Sequence, residues 1–249
     1  MFADIGASFG FVMNLSNSTG AAIAALWSGE LLPTEFAMHA ITLDHRQSGS
    51  RLDLLAQMFR LRRRVFKDRL DWTVSVSGDL EIDIYDALAP THILVVSDDN
   101  DVLGCVRLLP TTGPTMLADT FPMLLGDKEA PRSELILESS RFCVDTERVA
   151  ELGQRGFNRA TFVLFAAMLE TMRAKGANAI VTVTDVRMER ILRRAYWPLE
   201  RLTEPRKLGQ TTALAGYLRH CDLALEAMYR QAGVPGPVLR RLPEDRKAA

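Results

Sequence analysis

Most of the chemistry this chain can offer sits in four short segments. Arg62, Phe66 and Trp72 fall together, followed by Asp83 and Asp86 in Asp83-Ile84-Tyr85-Asp86. Arg107 lies in Gly104-Cys105-Val106-Arg107-Leu108-Leu109-Pro110-Thr111, and Glu138 and Arg141 lie in Glu138-Ser139-Ser140-Arg141-Phe142. Aromatic faces attract planar rings and cations, carboxylates meet cations, and guanidinium groups grip carboxylates. Gathered in one place, these residues suit a ligand that carries a ring, a cation and a carboxylate together.

Gathering them is the task of the elements between. Leu54, Met58, Leu61 and Val65 recur at helical spacing, which predicts an amphipathic helix over 51–66. Met58, Arg62 and Phe66 are four apart, so they share a face of that helix. Residues 67–90 show no clear period and contain Gly78 and Pro90, so Asp83 and Asp86 are expected on an irregular excursion. Two strand-like runs, 92–97 and 102–109, flank Asp98-Asp99-Asn100-Asp101, a turn by composition. A Pro/Gly-punctuated connection follows, with a short helix at 117–124. Then come a strand over 133–144, a helix over 157–175 closed by Gly176, a strand over 179–184 and a helix over 186–196. A strand over 211–218 and a helix over 222–231 end the pattern. This order implies an α/β fold, one mixed sheet flanked by helices. The folded domain is expected over 38–232, after a disordered N-terminal extension over 1–37 and before a mobile tail over 233–249; Met38 is a plausible alternative start. Arg107 sits mid-strand in an apolar context, and a buried guanidinium needs carboxylate partners. Asp83, Asp86 and Glu138 are the available ones, in a network expected to include Arg141.

Bulk composition narrows the partners. With 249 residues, 47% hydrophobic and 24% charged, the chain can bury a full core without disulfides or metal. A net charge of −1 gives no global field toward nucleic acid. The three cysteines are an odd number and widely spaced, and His39, His45, His92 and His220 show no ligand-like spacing. No metal site or disulfide framework is expected; the thiols fit the reducing cytoplasm. No apolar run reaches the roughly 18 residues of a membrane span. The N-terminal 37 residues lack the Lys or Arg that a secretory signal would want.

In order and at these spacings, the set from Arg62 to Phe142 resembles the acyl-homoserine-lactone synthases, the LuxI-type autoinducer synthases of bacterial quorum sensing. Trp197-Pro198-Leu199-Glu200-Arg201-Leu202 and Thr211-Thr212-Ala213-Leu214-Ala215-Gly216-Tyr217-Leu218 look like that family's C-terminal half, so the likeness covers roughly 38–218. It implies a GNAT-type acyltransferase fold, with a β-bulge and splayed strands forming a cleft. It also implies two substrates, S-adenosylmethionine and an acyl thioester of acyl carrier protein or coenzyme A, and no separate cofactor. The products would be an N-acyl-homoserine lactone, methylthioadenosine (MTA) and the free thiol carrier. The family's functional pattern falls on Arg62, Phe66, Trp72, Asp83, Asp86, Arg107, Glu138 and Arg141, with none substituted.

That chemistry assigns roles. The methionyl amine must lose a proton before it attacks a thioester, so a base is required. Glu138 is the candidate, because burial after Leu135-Ile136-Leu137 would raise its pKa. Asp83 and Asp86 would meet the cationic end of the ligand or hold Arg107 and Arg141. Phe66 and Trp72 would cover the adenine as part of a lid, with Arg62 anchoring nearby. Glu138 and Arg141 are three apart and would face opposite sides of a regular strand, so a β-bulge near Ser139-Ser140 is required. It would also free a backbone N–H for the thioester oxyanion. Lactonisation, by contrast, is a positioning task, since sulfonium already leaves well. The acyl chain would run past Phe142, Val144, Phe162, Val183 and Thr184, with Val181, Phe165, Met168 and Leu169 as further lining. Arg187, Arg193 and Arg194, with Arg190, Arg201 and Lys207, form a basic cluster suited to an acidic carrier protein.

Two other readings remain open at this stage. One is a different GNAT-fold N-acyltransferase using acyl-coenzyme A, with Gly153-Gln154-Arg155-Gly156 as its pyrophosphate turn. The other is a non-catalytic sensor of S-adenosylmethionine, which would have no need of a base.

Overall fold

A computed structural model describes residues 38–151 and 156–240. The expected N-terminal extension and Gly153-Gln154-Arg155 of the candidate turn lie outside them. Ten strands appear among the described residues. β1 (Met38–Leu43) leads to helix α1 (Leu52–Arg62), which runs on as a π-helix over Arg63–Arg69. A small hairpin, β2 (Val76–Ser77) and β3 (Leu80–Glu81), precedes a 3-10 turn at Ile84–Ala87. β4 (Thr91–Ser97) and β5 (Val102–Pro110) form the expected hairpin. After α2 (Met116–Asp119) come β6 (Ile136–Val144), α3 (Thr146–Glu151), α4 (Gly156–Ala174), β7 (Ala179–Asp185) and α5 (Val186–Arg194). β8 (Glu200–Arg201), β9 (Arg206–Leu208), β10 (Thr211–Arg219) and α6 (Asp222–Ala232) complete the chain.

The main sheet has the order β1-β4-β5-β6-β7-β10-β8, with β9 on the other part of β10. Every pairing is antiparallel except β6 with β7, which α4 connects as a crossover. Central strands are covered on both faces, so they read as near-continuous apolar runs. Ile93, Val95, Val106 and Leu108 pack toward α4 and α6, whereas Leu94, Val96, Cys105 and Cys143 pack toward α1. That double burial is why the hairpin and β7 were legible as short β-rich runs.

Three differences from expectation stand out. β1, β8 and β9 are edge elements whose sequence carries little period of its own, and their pairing partners create them. The segment 67–90 is not wholly irregular, because β2 and β3 pair there. Residues 233–240, expected in the mobile tail, are instead tied down along β1. Ala40 donates its N–H to Val238 and accepts from Arg240, while Glu170 accepts from the N–H groups of Val238 and Leu239. These bonds occupy the free edge of β1.

Candidate active site

Helix α1 and the π-helix that continues it bury Leu54, Met58, Leu61 and Val65, and this apolar stripe carries Arg62 inward with it. The guanidinium is fully buried, as is that of Arg107 on β5. Neither is unpaired. Arg62 donates to Glu81 at 2.5 Å and to both oxygens of Asp86 at 2.8 and 2.9 Å. Arg107 donates to Asp86 at 2.9 Å, to the two oxygens of Asp83 at 2.5 and 3.0 Å, and to Ser140 Oγ at 3.0 Å. Arg141 donates to Asp83 at 2.8 Å and to Glu81 at 2.9 and 3.1 Å. The six side chains close a ring in which cation and anion alternate: Glu81, Arg62, Asp86, Arg107, Asp83, Arg141 and back to Glu81. Charges balance within it, so its desolvation is offset by near-complete pairing. Burial alone would raise the Asp86 carboxyl, but the hydrogen bonds and charge of Arg62, with the charge of Arg107, hold it well below the usual carboxylate range.

Glu81 belongs to this ring and was not singled out from the sequence. With Glu138 counted as the third carboxylate the charges balanced on paper, so nothing but the apolar neighbours Leu80 and Ile82 marked Glu81 as a buried group. Glu138, which was expected in the network, is not in it. Its carboxylate accepts instead from the backbone N–H groups of Met116 at 2.8 Å and Leu117 at 2.7 Å, at the start of α2. Burial raises its pKa, outweighing the two N–H donors and the charge of Arg107.

The bulge that brings Glu138 and Arg141 together lies one to two residues later than expected. Cys105 pairs with Cys143 but Arg107 pairs with Ser140, so β6 carries one extra residue between them. Arg141 takes a φ of 55°, the left-handed region that costs a non-glycine residue energy. Its ring of ion pairs holds it there. Just before the bulge, β6 and β7 separate: their pairing stops at Ser139 with Thr182.

A cavity of about 640 Å³ opens in this separation. Glu138, Ser139, Ser140, Arg141 and Met116 line it. At one end stand Phe66 and Trp72, stacked at 5.0 Å and 21°, with the Arg141 guanidinium 5.5 Å from the centre of the Phe66 ring. On the α4 side, Phe142, Val144, Phe165 and Met168 form an apolar wall, while Val183 lines the cavity from the opposite face of the sheet, beside Phe121. Thr184 also lines it. Phe162 does not line it. On α4 the lining positions are Thr161, Phe165 and Met168, one helical stripe; Phe162 is rotated off it and packs edge-on against Phe165 in the core. Val181 and Leu169 are likewise core residues.

Fewer of the expected residues line the cavity than the sequence suggested. Asp83, Asp86 and Arg107 stand behind the wall and hold Arg141, the ring member that faces the cavity. Arg62, expected beside the ligand, is enclosed by the core and the ring. The basic cluster divides as well. Arg187 borders the cavity, and Arg193 and Arg194 are exposed on α5, but Arg201 is engaged by Glu189 at 2.7 and 2.8 Å. Among the described residues, no group of His, Cys, Asp and Glu could hold a metal ion, and no helix is long and apolar enough to cross a membrane.

A bulged mixed sheet, split between two central strands, has the GNAT-type fold. The family model described as autoinducer synthase matches residues 46–228. An acyl-homoserine-lactone synthase of Agrobacterium fabrum is 44% identical over 199 residues, covering 80% of this chain and 92% of its own. Among solved structures, the AHL synthase LasI superposes with a TM-score of 0.69 at 34% identity, covering 85% of this chain and all of its own. TofI, in a ternary complex with an inhibitor and MTA, gives 0.63 at 28% identity over 76% and 96% of the two chains. The chain belongs to the autoinducer synthase family, and it is an acyl-homoserine-lactone synthase.

Proposed function

We propose that the split-sheet cavity holds both substrates, with S-adenosylmethionine at its aromatic end and the acyl chain against its apolar wall. Glu138 takes the proton from the methionyl amine, directly or through a water, and the neutral amine attacks the thioester carbonyl. A backbone N–H left unpaired by the bulge meets the oxyanion. Arg141, held by the carboxylate ring, grips the ligand carboxylate, while Phe66 and Trp72 cover the adenine. The same carboxylate then closes on the γ-carbon and expels MTA, a step that depends on the folded conformation the cavity imposes. No cofactor is needed, since S-adenosylmethionine supplies both the amine and the leaving group. TofI holds MTA in its own structure, which supports this choice of leaving group.

The acyl donor is proposed to be an acyl carrier protein, because Arg187 borders the cavity and the same short helix exposes Arg193 and Arg194. We infer a cytoplasmic enzyme, in keeping with its free cysteines.

The observation that carries the mechanism is a buried carboxylate, without an ion pair among the described residues, in a cavity lined by stacked aromatics, a guanidinium and an apolar wall. Glu138→Gln keeps the shape and removes the base. MTA release in the presence of both substrates should fall by about 10²–10⁴-fold. Activity within a few-fold of the native enzyme would remove Glu138 from the mechanism.

A further inference from the structure

Met116 stands where the carboxylate ring and Glu138 come closest. Its sulfur is 3.2 Å from Arg107 Nη2 and 3.6 Å from Arg141 Nη1, while its backbone N–H is 2.8 Å from Glu138 Oε2. It is nearly buried and lines the cavity. This placement bears on a problem the sheet creates. Arg107 pairs with Ser140, and Leu109 with Glu138, so Arg107 and Glu138 are diagonal neighbours on one face. Side chains of that length reach each other across such a diagonal. A base paired with a guanidinium would be a poor base. Yet among the described residues Glu138 makes no ion pair.

We propose that Met116 is a positioning residue that insulates Glu138, its thioether accepting the guanidinium hydrogens of Arg107 and Arg141 that would otherwise reach the carboxylate. This rests on the reading of Glu138 as the base. A thioether is a weak, polarizable acceptor without charge. It can face two cations from one side without competing for the carboxylates behind them. The charged and titratable groups around Glu138 are Arg107 on β5, Arg141 on β6, Asp119 on α2 and Tyr85 on the 3-10 turn. Asp119 and Tyr85 bring no positive charge. Beside the backbone N–H groups of Leu117 and Met116, Arg107 is the charge that lowers the carboxyl; Arg141 lines the same cavity, and the Met116 sulfur lies against both guanidinium groups.

The experiment is the pH profile of kcat/KM for MTA release in Met116→Leu, Met116→Ala, Glu138→Gln and Val163→Ala. Val163 is a fully buried residue of α4 away from the cavity and controls for loss of core packing. Met116→Leu keeps the volume and removes the acceptor, so the arginines turn toward Glu138. The acidic limb should move to lower pH by about half a unit or more, with a lower plateau. Met116→Ala also admits water, and its limb should move further, by about one unit. Val163→Ala should leave the limb in place. Native limbs in both Met116 variants, in an enzyme whose limb disappears with Glu138→Gln, would overturn the insulating role alone. A native limb in Glu138→Gln would overturn the base itself, and the insulating role with it.

Discussion

Removing Glu81 is the sharpest test of the carboxylate ring. Glu81 has a fully buried side chain and accepts from Arg62 and twice from Arg141. Glu81→Ala leaves three guanidinium groups facing two carboxylates, so one positive charge loses its balance in a largely buried site. Breaking a buried ion pair by deleting one partner costs about 3–5 kcal/mol. In a chain of this size, each kcal/mol lowers the Tm by about 2–4 °C, so a drop of about 6–20 °C is expected. Glu81→Gln keeps an acceptor while losing the charge and should fall between. Asp79, two residues away, supplies the control: its pair with Arg60 is exposed on both sides, and Asp79→Ala should leave the Tm unchanged. Thermal and urea unfolding report the difference. A Glu81→Ala protein within about 1 kcal/mol of native would refute the ring as a balanced buried unit, because surface-like pairs are the ones that small. Catalysis should fall as well at temperatures where the variant stays folded, since Arg141 then keeps Asp83 alone.

Other consequences follow from the same geometry. His92 is buried beside Asp86, Arg62 and Arg107, and burial pushes its pKa down to about 4. A histidine depressed on folding contributes stability that is complete above its unfolded value near 6.5 and is lost as pH falls from there toward 4. His92→Gln should flatten that acid loss, about 3 kcal/mol over the window, in urea unfolding followed against pH; an unchanged slope would contradict it. Arg193→Glu with Arg194→Glu should raise the KM for an acyl carrier protein substrate by about tenfold and leave that for S-adenosylmethionine alone; equal kinetics would remove the docking face. Met168 lines the apolar wall of the cavity, and Met168→Trp should shift extracted lactones toward shorter acyl chains by mass spectrometry. An unchanged chain distribution would place the acyl group elsewhere.

Much of this protein could be read from local pattern. The β4–β5 hairpin, β6, α4, β7 and α6 announce themselves because each buries one or two continuous faces, which forces a period onto the sequence. The need for a bulge followed from Glu138 and Arg141 being three apart, and the residues of the site followed from resemblance. Contacts between distant segments had no such signature. Whether Arg62 meets a ligand or two carboxylates depends on where the β2–β3 hairpin folds back, and that brings Glu81, nineteen positions away, to its guanidinium. Glu138 faces the arginines in strand register, yet the first turn of α2 captures it and Met116 fills the gap. Phe162 and Thr161 are adjacent in sequence, and only the rotation of α4 against the split sheet puts one in the core and the other on the cavity. Residue types and their order set the available chemistry. Which charges neutralise each other and which one stays outside the ring is set by packing, because electrostatic pairing acts through space at distances that chain order does not encode.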